Sequence, residues 1–199
     1  MLVLGVDPGT ATTGYGLVRE RASRLEALDW GIITTAKDSP LAARLLLIYG
    51  GLGDLIRAHR PEAVAVEELF FNRNVRSALA VGQARGVALL AAAAAGLPVL
   101  EYTPPQVKQA VTGYGGADKA QMQAMVKMIL GLGETPRPDD AADALAVAIC
   151  CIHSRGLERL VANDGKAYAR AGSTPVGSPP AGSPPAGSPP AGQGREASR

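Results

Sequence analysis

The chain has 199 residues, is 47% hydrophobic, and carries a formal net charge of only +2. That balance gives no polybasic signal for nucleic acid, although acids gathered at one site can mask a basic face elsewhere. The longest apolar run, Val87 to Ala95, falls far short of the roughly 20 residues a membrane helix needs.

In chain order, Leu2 to Val6 is a short apolar run that predicts a buried strand. Asp7-Pro8-Gly9 and the small residues up to Gly14 predict a turn. Tyr15 to Arg19 and Trp30 to Thr35 then complete an antiparallel meander. Ser39-Pro40 reads as a helix start, with Ser39 as N-cap and Pro40 as the first helical residue. This helix runs to about His59, weakened by Gly50, Gly51 and Gly53, and Pro61 ends it. Ala63 to Glu67 follows as a strand parallel to the first, reached through a crossover. Val75 to Ala95 is an Ala-rich helix stopped at Gly96, and Val99 to Thr103 is a fifth strand. A helix from Pro104 to Val111, a loop over Thr112–Gly116, and helices over Ala117–Leu130 and Asp139 to about Ser154 finish the pattern. The expected fold is α/β, with a five-stranded mixed sheet flanked by helices.

The chain opens directly on a strand pattern, so no signal peptide is expected and the protein is placed in the cytoplasm. The adjacent Cys150 and Cys151 cannot staple distant segments and read as small buried hydrophobes in a reducing compartment. From about Ala171 the composition is Gly, Ser, Pro and Ala, with GSPPA repeats at Gly177, Gly182 and Gly187. Nothing there is large enough to bury, which predicts a disordered tail. The expected organisation is a folded domain over 1–156, an extension over 157–170 and the tail over 171–199.

Four acids stand where apolar segments end: Asp7 in LVLGVDPGT, Glu67 in AVAVEELFF, and Asp140 and Asp143 in PDDAADALAVAI. An unpaired ionised carboxylate at the edge of a core is costly, and a chain tolerates several when they hold divalent cations. Two such cations can cut a phosphodiester bond. Strand alternation sets Val3, Gly5 and Asp7 on one sheet face, although Asp-Pro-Gly also suits a self-capping turn. Glu67 and Glu68 end a parallel strand, the edge where open α/β sheets place ligands, and they point to opposite faces, so at most one can join Asp7. Asp140 and Asp143 share one helix face, yet acids at a helix start also serve capping and the helix dipole.

Five segments run in order: GVDPGTATTGYG from Gly5, AVEELFFNRN from Ala65, SALAVGQARG from Ser77, QVKQAVTGYGGADKAQMQ from Gln106 and DAADALAVAI from Asp140. On these, over about residues 1 to 155, the chain resembles the RuvC family of crossover junction endodeoxyribonucleases, within the ribonuclease H-like superfamily. The resemblance implies a RuvC-like nuclease domain that acts as a homodimer on four-way DNA junctions. It implies Holliday junction resolution by symmetric paired nicks in strands of like polarity, in recombination and repair, with branch-migration proteins of the RuvA and RuvB type as partners. Matched position by position, Asp7, Glu67, Asp140 and Asp143 are the metal-binding acids, implying Mg²⁺ or Mn²⁺, two ions to a site. Lys108 and Lys119, at what read as helix starts beside glycines, match lysines near the scissile strand. Phe70 matches a stacking aromatic, with Phe71, Arg73 and Arg76 beside it as further DNA contacts. Two departures from the pattern are Glu68, after the catalytic Glu, and Asp139, an added acid before the last helix.

Gly82 and Gly86, with Ala80, Ala84 and Ala88, read as one thin stripe on the long helix, facing either the core or a second subunit. A phosphate-binding ATPase or sugar kinase of the actin-like kind shares the strand-Asp-turn opening, but the chain lacks the length for a second lobe. A DNA-binding module without catalysis is disfavoured, because four acids facing phosphates weaken binding.

Overall fold

The computed structural model of the protein describes residues 1–154 apart from Ser23 and residues 69–74, with the backbone alone described at 75–77. Five strands, β1 (Leu2–Asp7), β2 (Thr12–Arg21), β3 (Arg24–Thr34), β4 (Ala63–Glu67) and β5 (Val99–Tyr102), form one sheet in the order β3-β2-β1-β4-β5. The β1–β2 and β2–β3 pairs are antiparallel, whereas β1–β4 and β4–β5 are parallel. The expected mixed sheet is therefore present. Its meander strands run longer than their apolar stretches, because backbone pairing continues to Arg21 opposite Arg24 regardless of side-chain polarity.

Helix α1 (Leu41–His59) follows the meander, and α2 (Val75–Ala94) joins β4 to β5. Helices α3 (Pro104–Thr112), α4 (Lys119–Ile129) and α5 (Asp139–His153) close the fold. Ser39 is not the N-cap of α1: Pro40 holds that position, and no side chain bonds the first turn. By contrast, α3 and α4 open on complete capping boxes, Thr103 with Gln106 and Asp118 with Gln121. These boxes satisfy donors that a helix start leaves free. The second one starts α4 at Lys119 rather than Ala117, which is buried in the core instead.

Alternation along β1 separates two cores. Leu2, Leu4 and Val6 pack with Ile48, Leu52 and Ile56 of α1 and with Ala84, Ala88, Ala91 and Ala92 of α2. Val3, on the opposite face, joins Ala63 and Ala65 of β4 and the apolar sides of α3, α4 and α5. The stripe read on α2 divides here: Ala84 and Ala88 are fully buried, while Gly86 is exposed with open space beyond it. Two residues along a helix is a rotation of about 200°, so Gly86 and Ala84 cannot share a face.

Helix α5 is buried almost all round, Ala141, Ala142 and every residue from Ala144 to Ile152 lying inside. It rests on glycines. A Cβ at Gly5 would collide with the carbonyl oxygen of Ala144, one at Gly14 with that of Asp140, and one at Gly16 would come within 2.9 Å of the Leu145 nitrogen. Only hydrogen side chains let helix backbone lie directly on strand backbone. Cys150 and Cys151 are buried in the far half of α5, where burial pushes their thiols up to about 11 and about 12, matching the inert role expected of them. No helix among the described residues is long and apolar enough to cross a membrane. The extension and Pro-rich tail lie outside the described residues.

Candidate active site

The sheet edge formed by the C-terminal ends of β1 and β4 carries two acids. Val6 lies in parallel register with Val66, so the next residues, Asp7 and Glu67, end adjacent strands abreast. The turn after Asp7 is stapled from two sides. The buried Thr13 hydroxyl donates to the Gly9 carbonyl at 2.7 Å, and Thr35 donates to the Thr10 carbonyl. A Cβ at Gly9 would strike the Thr12 carbonyl oxygen, so the tight loop demands glycine there.

Helix α5 brings the other acids. Its seat on Gly14, the residue paired with Asp7 across β1–β2, sets Asp140 over the end of β1. Asp143, one turn on, lines a cleft of about 210 Å³ together with Glu67, Lys108, Lys119 and the apolar Pro104, Val107, Met122, Ala146 and Val147. One strand and three helices, β4, α3, α4 and α5, thus meet at one opening. Lys108 sits in the middle of α3 rather than at a helix start, while Lys119 is the first residue of α4.

The electrostatics are those of crowded, half-buried anions. Burial first, and then the charges of Asp143, Glu67 and Asp140, push the Asp7 carboxyl up to about 7, with Lys119 pulling the other way. Glu67 rises to about 6 through burial and the charge of Asp143, opposed by Lys108. Asp143 is raised by burial against the pull of Lys119. The Lys119 ammonium lies 3.0 Å from Asp139 and 3.5 Å from Asp143. Mutual repulsion of this kind persists in a fold when cations relieve it.

Among the described residues, no three His, Cys, Asp or Glu side chains already stand as an assembled metal cage. The donor set nevertheless fits a hard divalent cation: it is all carboxylate oxygen, with no soft ligand, and its acids raise one another's proton affinity. A divalent cation would be held by Asp7, Glu67 and Asp143, with Asp140 beside them.

Phe70, Phe71 and Arg73 lie outside the described residues, as does the Arg76 side chain, whose backbone is in the first turn of α2. Glu68 is exposed and its backbone N–H donates to Tyr102 across the sheet edge. One contact was not legible beforehand: Asp139, read only as a surplus acid, pairs with Lys119 and accepts a hydrogen bond from Gln123 at 2.9 Å. The four-residue spacing of Lys119 and Gln123 on α4 hints at a shared face, but nothing local names its partner on α5.

Comparison with known proteins follows the same residues. The family model described as crossover junction endodeoxyribonuclease RuvC matches residues 3–151. A crossover junction endodeoxyribonuclease RuvC from Syntrophomonas wolfei is 60% identical over 154 residues, 77% of this chain and 90% of that protein. The one from Pelotomaculum thermopropionicum is 60% identical over 159 residues, 80% of this chain and 97% of its own. Among solved structures, Thermus thermophilus RuvC in complex with Holliday junction substrate superposes with a TM-score of 0.75 at 42% identity, covering 79% of this chain and 96% of that one.

Proposed function

The chain belongs to the RuvC family of crossover junction endodeoxyribonucleases, and on that premise we propose that Asp7, Glu67, Asp140 and Asp143 are its metal-binding and catalytic acids. The protein is a structure-selective endodeoxyribonuclease that resolves Holliday junctions, in homologous recombination and DNA repair. The observation carrying the site assignment is the gathering of Asp7, Glu67 and Asp143 from β1, β4 and α5, Glu67 and Asp143 lining one cleft and Asp7 abreast of Glu67, each with its proton affinity raised by burial and by its neighbours.

The cations are Mg²⁺ or Mn²⁺, two to a site; when bound they supply Lewis-acid activation of water and stabilise the leaving 3′ oxygen. The protein's own residues do the rest. The carboxylates hold the charge that draws the cations in, and the buried seat of α5 on Gly5, Gly14 and Gly16 fixes their spacing. Lys108, whose charge acts on Glu67, and Lys119, beside Asp143, grip the scissile phosphate and offset negative charge that grows during in-line attack. Pro104, Val107 and Met122 form an apolar wall that strengthens those interactions by limiting solvent.

Phe70 stacks on an unpaired base beside the branch point, with Phe71, Arg73 and Arg76 as neighbouring contacts; the support is their place directly after the Glu67 strand. The active form is a homodimer, because resolution needs two matched cuts. Its contact face is supported by Leu79, Gly86 and Leu90, which follow one another around one side of α2 and are all exposed, the two leucines at 64% and 59%. Branch-migration proteins of the RuvA and RuvB type present the junction, and the cytoplasm is the setting. The nuclease domain spans 1–156, followed by an extension over 157–170 and a tail over 171–199.

The test is cleavage of an end-labelled four-way junction with a mobile core beside a matched linear duplex, with EDTA, Mg²⁺ or Mn²⁺. Paired symmetric nicks in the junction alone, dependent on cation and lost in Asp7→Asn, are expected. Unaltered cleavage by Asp7→Asn would overturn the site assignment.

A further inference from the structure

Three contacts tie α4 to the start of α5. Lys119 Nζ lies 3.0 Å from Asp139 Oδ2 and 3.5 Å from Asp143 Oδ2, and Gln123 Nε2 donates to Asp139 Oδ1 at 2.9 Å. Both oxygens of Asp139 are therefore engaged, one by each of two residues a turn apart on α4. The carboxylate cannot swing toward the cleft without giving up Gln123. Among the described residues Asp143 has no such second tether, and it is the acid that lines the cleft with Glu67.

We propose that Asp139 is a positioning residue that draws the Lys119 ammonium partly away from Asp143, so that Asp143 stays available to a divalent cation. The inference rests on the reading of Asp143 as a cation ligand. The pair is solvent-facing, with side-chain exposures of 56% and 58%, so its contribution to fold stability is small. Its effect is on where one positive charge sits. With Asp139 in place, Lys119 is shared and leans to the nearer carboxylate. Without it, Asp143 is the carboxylate left within ion-pairing distance of Lys119 among the described residues, and the ammonium competes directly with the cation. The same grip keeps Lys119 within reach of an incoming phosphate.

Removing Asp139 also removes a negative charge near the site, which by itself weakens cation binding. A double-mutant cycle separates the two effects. Mn²⁺ uptake is titrated by electron paramagnetic resonance on the full-length protein without DNA. Asp139→Asn weakens uptake by about 5-fold, and Lys119→Gln tightens it by a similar factor, the scale of one exposed charge pair. In the Lys119→Gln background only the loss of charge is left, so Asp139→Asn weakens uptake clearly less than it does with Lys119 present. Gln123→Met, which loosens Asp139 without changing charge, moves uptake in the same direction by less, and Asp139→Glu restores it. An Asp139→Asn effect that persists undiminished without Lys119, or no effect of Asp139→Asn at all, overturns the positioning role. If wild-type protein takes up no Mn²⁺, or Asp143→Asn takes up as much as wild type, the reading of the acids as cation ligands is what has failed.

Discussion

Strand β1 meets its neighbours in two different ways. On one face, Leu2, Leu4 and Val6 interlock with Ile48, Leu52 and Ile56 of α1 and the alanines of α2 through ordinary side-chain packing. On the other, Gly5, with Gly14 and Gly16 of β2, presents no side chain, and α5 lies on the strand backbone itself. The first face has slack, since a packed side chain can shift by a fraction of an ångström and adopt another rotamer. The second has none, because backbone meets backbone. The acids ride on the face without slack. Stability is thus drawn from one side of the sheet and geometric definition from the other, which suits a site whose groups must be held to within about half an ångström.

The sharpest way to break the contrast is to put bulk on the rigid face. Gly14→Val would drive a side chain into the Asp140 carbonyl, and we expect α5 to undock, with loss of cooperative unfolding in a urea titration. A soluble Gly14→Val protein with a native transition would show that the helix has room to move. Next in size is Asp7→Asn. Cleavage should fall on the order of 10³-fold while junction binding in a gel shift persists. Because burial and like charge disfavour the Asp7 anion, the cation-free variant should also melt higher than wild type at pH 8, by roughly 2–4 °C for each kcal/mol relieved.

On the slack face, Ile48→Ala, at a fully buried position of α1, should lower unfolding free energy by about 2–5 kcal/mol. Its single-turnover cleavage rate at 20 °C should stay close to wild type. A large loss of rate there would mean that the two faces are mechanically coupled. The last effect concerns pH. The folded protein holds protons on Asp7 up to about 7 and on Glu67 up to about 6, against ordinary values of 3.8 and 4.5. These groups therefore contribute stability that is fully present below about 4 and is lost as pH rises through 6 to 7. Cation-free unfolding free energy should decline between pH 5 and 8, saturating Mg²⁺ should flatten the decline, and Asp7→Asn should shrink it. A flat cation-free profile would mean that the acids are solvated rather than crowded.

Much of this was written locally. Apolar runs and alternation placed all five strands, and a Pro or Gly marked most helix ends, because those signals act on a residue's own backbone or its nearest turn. The acids were legible for a related reason: a carboxylate closing an apolar strand conflicts with its surroundings and invites explanation. Where local cues had rivals they misled. Ser39 looked like a cap and Pro40 took the place, while Ala117 looked helical and went to the core.

What remained hidden depends on residues distant in sequence. The split of α2 into a buried alanine side and an exposed Gly86 side was decided by the packing of α1 and β4 against it. Nothing near Gly5, Gly14 or Gly16 says that a helix more than a hundred residues later will lie on them, and nothing near Lys119 says that Asp139 will hold it. The sequence by itself determined which groups carry charge and which segments are strand or helix, since periodicity and charge are properties of the local chain. Which charges face one another, and how closely, was decided only when α5 settled on its glycine bed, because backbone-to-backbone contact is a property of two surfaces and neither one records it alone.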